Sequence, residues 1–327
     1  MREHEPHDEV GGVHMSADDG GEVETEITPE HEKELTVTYR SLRLALVLAV
    51  LMLAVSVIAE AVRAGALRDS LSSYFYSPSR SIFVGVLLVI GFSLIAIHVV
   101  QLWEEFWLTL GGMFAIIVAL VPTSPPSCTL DVVSDDAIPA GGQVPVPLVR
   151  DIADRSILEC FPHGAADGLP GWVVAGVWNN VLALIVVGLI AVIVALKYTD
   201  WSAGTSSALM WSLVVYGVAL VVGGLLFWLW DDFRDQTHGV AAILTFVCFG
   251  AVALINGWLR PENTGRFLAT YRAVTIGMAV AFAVFLLVRA TGNGFRTDVF
   301  WLEAVEIALF ATFWLAQTIQ HWHEADT

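Results

Sequence analysis

The sequence predicts an all-α fold, a bundle of about eight transmembrane helices, and three observations carry that prediction. Hydrophobic residues fill 56% of the 327 positions and only 15% are charged, whereas a water-exposed chain is about one-quarter charged. The apolar residues gather in runs of about 20, the length a helix needs to cross a hydrocarbon core of roughly 30 Å. Water is absent there, so backbone N–H and C=O groups must pair within each run, and that selects helix.

Eight runs meet the description: 42–60, 81–100, 105–122, 172–196, 207–230, 238–259, 270–289 and 299–320. Small residues at Gly217, Gly223, Gly224, Gly277 and Ala281 are spaced for close helix packing. Most connections are short. The exception is 123–171, whose Pro, Gly and Asp content marks an extramembrane loop. Within it, Leu148–Leu158 has the apolar spacing of a short helix lying on the membrane surface.

The net charge of −17 is unevenly placed. Residues 1–40 hold twelve acids against Arg2, Lys33 and Arg40, a balance of −9. So few apolar groups cannot offset the entropy of ordering, so 1–40 reads as a disordered acidic tail ahead of a helical domain at 41–327. His4, His7, His14 and His31 are irregularly spaced in it and read as solvated side chains, not metal ligands. Lys33 and Lys197 are the only lysines beside fourteen arginines. Such an acid-rich, lysine-poor composition suits a halophile-like, salt-adapted proteome, where carboxylates keep proteins soluble. The run near Leu42 lacks a small-residue cleavage site and is expected to remain as the first span.

Arginines fall on both sides of the spans and do not fix the orientation. Cys128 and Cys160 both lie in the long loop, and they form a disulfide if that loop faces an oxidising compartment. That choice puts the N-terminus on the cytoplasmic side of a cell membrane. Cys248 sits mid-span as a small packing residue.

Ionisable groups at membrane depth are costly, so each is a candidate for function. Parity sorts them. The even-numbered spans begin on the face where the odd-numbered spans end. Glu60 closes the first span, and Tyr74, Tyr76, Ser79 and Arg80 precede the second. Asp231, Asp232 and Asp235 follow the fifth span and His238 opens the sixth; Arg289 closes the seventh, and Glu303 and Glu306 lie early in the eighth. All share one membrane face. Glu303 and Glu306, three residues apart, lie on one side of a helix and need a partner, a proton or a cation. Arg80 is the expected partner of Glu303, since a guanidinium grips a carboxylate with two prongs, and His238 is expected beside them. The competing reading is a solvated collar of carboxylates with Arg80 as an interfacial anchor. Trp172, Trp228, Trp230 and Trp301 near span ends read as an interfacial aromatic belt.

The opposite face carries His98, Glu104, Glu105, His321 and His323. No zinc-ligand spacing occurs there, and no metal or cofactor is implied. Asn179 and Asn180 read as interhelical hydrogen-bonding groups.

The segment Ser73–Gly85 (SYFYSPSRSIFVG), His238 opening HGVAAILTFVCFGAVAL, and Trp301-Leu302-Glu303-Ala304 with Trp314 further on resemble an uncharacterised prokaryotic multi-pass membrane family, domain of unknown function 998. The resemblance covers the first three and last three spans, with the fourth and fifth as an addition. It implies a membrane protein of no settled activity. The residues that carry it include Tyr74, Tyr76, Arg80, His238 and Glu303, the same face that parity selects.

Three classes of function follow. The first is a non-enzymatic scaffold, sensor or lipid-interacting protein, whose partners are the bilayer and a lipid headgroup or cation. The second is a metal-dependent hydrolase or transferase acting at lipid headgroups, using Asp231, Asp232, His238 and Glu303. The third is a transporter, which the apolar interiors of the spans disfavour. No phosphate-binding loop, zincin motif or nucleophile elbow occurs in the connections. No basic stripe points to nucleic acid.

Overall fold

The computed structural model describes residues 29–97, 99, 101–123, 148–150, 157–159, 171–198, 207–260, 263–295 and 297–322. Eight α-helices run through them: α1 (Pro29–Ala64), α2 (Arg80–Ala96), α3 (Leu102–Leu120), α4 (Gly171–Tyr198), α5 (Ser207–Leu229), α6 (Asp231–Leu254), α7 (Gly265–Ala290) and α8 (Asp298–Trp322). A 3-10 turn, Ser72–Tyr76, leads into α2, and a π-helical turn, Ile255–Leu259, ends α6. Seven of the helices are long and apolar enough to cross a membrane. At 17 residues, α2 is the shorter one, about 25 Å at 1.5 Å per residue. The chain is a polytopic helical membrane protein.

Each expected span falls on one helix. The largest differences are at the starts of α1, α6 and α7, which begin at Pro29, Asp231 and Gly265 and not at 42, 238 and 270. Hydropathy marks only the stretch inside hydrocarbon, whereas a helix continues into water on polar residues. Pro29 suits a first helical position, and the acids that follow it, like Asp231 and Asp232, are favoured at the positive end of the helix dipole. The acidic segment expected to be disordered therefore contributes its last residues to α1. Cys128 and Cys160 lie outside the described residues.

One expectation for the long loop is corrected. Leu148–Arg150 (β1) and Ile157–Glu159 (β2) form an antiparallel strand pair with Val149 opposite Leu158, not a surface helix. Val149 and Ile157 are β-branched and favour a pleated backbone.

The core is organised around α3, 67% of whose span is buried, against 17% for α4 and 11% for α7. Helices α2, α5 and α6 pack on α3, while α1 and α8 close against each other and α7 rides on α8. Phe249 stacks on Phe310 at 4.4 Å between α6 and α8, and Tyr271 meets Phe313 at 5.2 Å between α7 and α8. The tightest approach is between α2 and α3. A Cβ on Gly112 would lie 2.6 Å from the Gly91 carbonyl oxygen, and a Cβ on Gly91 would lie 2.8 Å from that of Gly112. Backbone meets backbone there, as small residues permit inside a membrane.

Gly112→Val must push α2 from α3. A cost of about 1–3 kcal/mol, the range for overpacking a tight core, is expected as a lower melting temperature in detergent. Gly85→Val, on the same helix α2 with open space at its Cβ, should leave the melting temperature unchanged.

Candidate functional site

The sequence-selected face is built around the 3-10 turn. All five of its residues are buried. Helix α8 supplies what this short, buried piece of backbone lacks. Glu303 accepts hydrogen bonds from the N–H groups of Leu71 (2.6 Å) and Ser72 (3.2 Å) and from the Ser72 hydroxyl (2.7 Å). A carboxylate 231 residues away in sequence thus does the work of a helix cap, accepting from N–H groups that have no partner within the turn. The remainder of the turn is self-tied: Ser73 N–H donates to the Ser70 hydroxyl (3.0 Å), the Ser73 hydroxyl to the Ser70 carbonyl (2.6 Å), and the Ser77 hydroxyl to the Tyr74 carbonyl (2.7 Å).

The expected ion pair between Arg80 and Glu303 does not form. The N–H groups of the turn occupy the carboxylate, and the Arg80 guanidinium lies over the Phe75 ring, 4.2 Å from its centre, within cation–π range. The other members of the face are likewise tied locally. Glu60 binds Arg63 of its own helix through two contacts of 2.6 and 2.7 Å. Tyr74 packs against Phe300, and Tyr76 donates to the Thr123 carbonyl at 2.7 Å. Burial raises the ionisation of both phenols above their ordinary range, which keeps Tyr76 a donor. Arg289 grips Asp298 with two contacts of 2.8 Å, closing the α7–α8 turn.

His238 is held by the residue that caps the end of α3. Its Nδ1 donates to the Val121 carbonyl at 2.6 Å; a carbonyl can only accept, so the hydrogen sits on Nδ1. Nε2 therefore presents a lone pair, buried and without a hydrogen-bond partner. Glu306 is also buried, with one carboxyl oxygen unpartnered. Asp231 and Asp232 begin α6, and their side chains lie outside the described residues. Among the described side chains of this face, no hydrogen bond joins His238 or Glu306 to Glu303. Glu303 and Ser72 touch an enclosed space of about 50 Å³ whose other walls include Leu53, Phe83, Ile90, Phe249 and Phe310.

The denser polar network is on the other face, which the sequence reading set aside. Glu104, 1% exposed, forms an ion pair with Arg260 at 2.5 Å. Its other oxygen accepts from Asn256 (2.8 Å) and Gln317 (3.4 Å). Gln317 also donates to Asn256 (3.2 Å), Asn263 to the Asn256 carbonyl (2.9 Å), Gln320 to Asn263 (2.9 Å), and Tyr271 to Gln320 (2.6 Å). Arg260 reaches back to Gln101 at 2.9 Å. The π-helical turn makes room for this. Its wider coil frees carbonyls from the regular ladder, and those of Asn256 and Gly257 accept from Asn263 and from Arg272 (2.9 Å). Four elements, α3, the π turn, α7 and α8, are joined by one connected set of bonds. The side chains of His98, His321 and His323 lie outside the described residues. Among the described residues, no three His, Cys, Asp or Glu side chains gather as a metal site.

No family model, curated protein or solved structure matches the chain.

The two faces respond differently to mutation. Glu104→Ala removes the carboxylate from Arg260 and the acceptor from Asn256 and Gln317, and is expected to cost about 3–5 kcal/mol, as for one partner of a buried pair. Glu303→Ala leaves two N–H groups and a hydroxyl unpaired and should cost about 1–3 kcal/mol. Glu60→Ala releases an arginine already open to water and should cost at most about 1 kcal/mol. Chemical unfolding of the three variants in detergent gives the order directly.

Proposed function

We propose that the chain is a non-enzymatic membrane protein, a scaffold or sensor that interacts with lipid. It sits in the cell membrane with its N-terminus on the cytoplasmic side and belongs to the multi-pass family its motifs resemble. One observation carries this reading: Glu303, for which the sequence left a pocket or a solvated collar open, is committed to capping the turn before α2. Its bonds hold backbone and leave the small space beside it walled by hydrocarbon. On the far face Glu104 is committed in the same way. Between the two belts, Thr245 and Thr275 satisfy their hydroxyls on carbonyls one turn back in their own helices, which favours a static bundle over a transport path. The acid-rich, lysine-poor sequence fits a salt-adapted cell.

A hydrolase or transferase acting at headgroups is the second reading, and His238 favours it. A buried imidazole with its Nε2 lone pair unpartnered, two turns into a helix that begins with Asp231 and Asp232, is a fit general base.

The full chain, reconstituted in vesicles of phosphatidylethanolamine and phosphatidylglycerol with an enclosed pH dye, separates these readings. With zinc or manganese added, no headgroup release by mass spectrometry and no dye response beyond protein-free vesicles are expected. Metal-dependent headgroup release that His238→Ala abolishes would transfer the protein to the second reading. A dye response would make it a transporter.

A further inference from the structure

The α4–α5 hairpin does not close fully on the bundle. Helices α5 and α6 are joined at the sequence-selected face through Trp230, which stacks on Phe233 at 6.5 Å, and a gap remains between them, α3 and α4. The gap is a groove of about 440 Å³, a size typical of ligand sites. Its floor is buried, with Val121, Val181, Phe227 and Ala241 at 8% exposure or less. Its lips, Val218, Val222 and Val240, are about half exposed. The groove therefore opens sideways, toward the bilayer and not toward water.

Its length is informative. On α6 the lining runs from Phe233 to Leu244, twelve residues spanning about 16 Å of helix. That is about half of a 30 Å hydrocarbon core, the depth of one leaflet. Among the described residues, Thr237 is the only lining side chain with a polar group, and its hydroxyl already donates to the Phe233 carbonyl at 2.7 Å. At the interfacial end, Phe227 and Phe233 connect the groove to a cluster of rings: Trp178 meets Phe227 at 5.4 Å and Trp228 at 5.0 Å. Tryptophans at this level are wet on one side and apolar on the other. Helix α6 begins at this end with the sequence Asp231-Asp232-Phe233-Arg234-Asp235, three acids to one base.

We propose that the groove between α5 and α6 holds one acyl chain of a phospholipid from that leaflet, with an ammonium-bearing headgroup at the aromatic and acidic end. The hydrocarbon chain covers the recessed floor. The cationic nitrogen lies against the indole faces, which attract it by cation–π interactions, and the net acidic sequence that opens α6 adds charge attraction. This rests on the lipid-interacting reading above and names its ligand class.

Gly223 lines the groove, and a Cβ there would meet nothing within 4 Å. Gly223→Phe thus puts a ring into the groove with no clash at its Cβ. Gly250→Phe, also in open space and outside the groove lining, is the control. Native mass spectrometry of the full chain, purified in detergent and given equal phosphatidylethanolamine and phosphatidylglycerol, is expected to retain one phosphatidylethanolamine per chain. Its excess over phosphatidylglycerol should be at least about fivefold. Gly250→Phe should keep it and Gly223→Phe should lose it, with both variants melting as the parent does. Equal retention of the two lipids, equal retention by the two variants, or a lipid-free dimer would overturn the proposal. Headgroup release in the vesicle experiment with lipid still retained would end the non-enzymatic reading and leave the groove standing. Loss of retention without headgroup release would do the reverse.

Discussion

A carboxylate with 1% of its surface exposed has to be neutralised and hydrogen-bonded by its surroundings, and Glu104 imposes that demand on four elements at once. Arg260 supplies the charge, and Asn256 and Gln317 supply donors. The π-helical turn follows from the same demand. Asn256 lies within it and donates to both Glu104 and the Val252 carbonyl, and the next partners, Asn263, Gln320 and Tyr271, are fixed in turn. Hydrophobic burial cannot align helices already dissolved in an apolar solvent; packing and polar bonds of this kind decide the register.

Two belts of polar structure therefore bracket an apolar middle. In one belt side chains bind one another across helices. In the other, side chains mostly bind backbone: Glu303 to Leu71 and Ser72, His238 to Val121, Tyr76 to Thr123. The difference follows the local structure. Irregular backbone is stable at membrane depth only where protein supplies its missing partners, and the irregular segment before α2 is on the second face.

The helices were legible because an apolar run of membrane length has one stable conformation. Parity assigns Glu60, Arg80, His238 and Glu303 to one face, since alternation of direction needs only the order of spans. Pairing was not legible. Glu303 lies within one 25-residue helix, but its partners are N–H groups of Leu71 and Ser72, and no periodicity in α8 announces a turn 231 residues earlier. The far network was missed for a different reason. A search keyed on charge flags Glu104 and Arg260 but passes over Asn256, Asn263, Gln317 and Gln320. Applied to amides as well, the same parity rule would have placed all six at one end, where α3 and α7 begin and α6 and α8 finish.

The cap on the 3-10 turn also has a bearing on biogenesis. The turn is synthesised near the start of the chain, and the residue that completes it arrives on the last helix. While the ribosome is still making α3 to α7, the N–H groups of Leu71 and Ser72 wait in an apolar setting without their acceptor. The first helix also waits for α8, on which it packs. The amino-terminal part of this protein is thus finished only after the carboxyl-terminal part has been inserted. A chain stalled before α8 would display an open seam, a feature by which membrane quality control could tell it from the finished molecule.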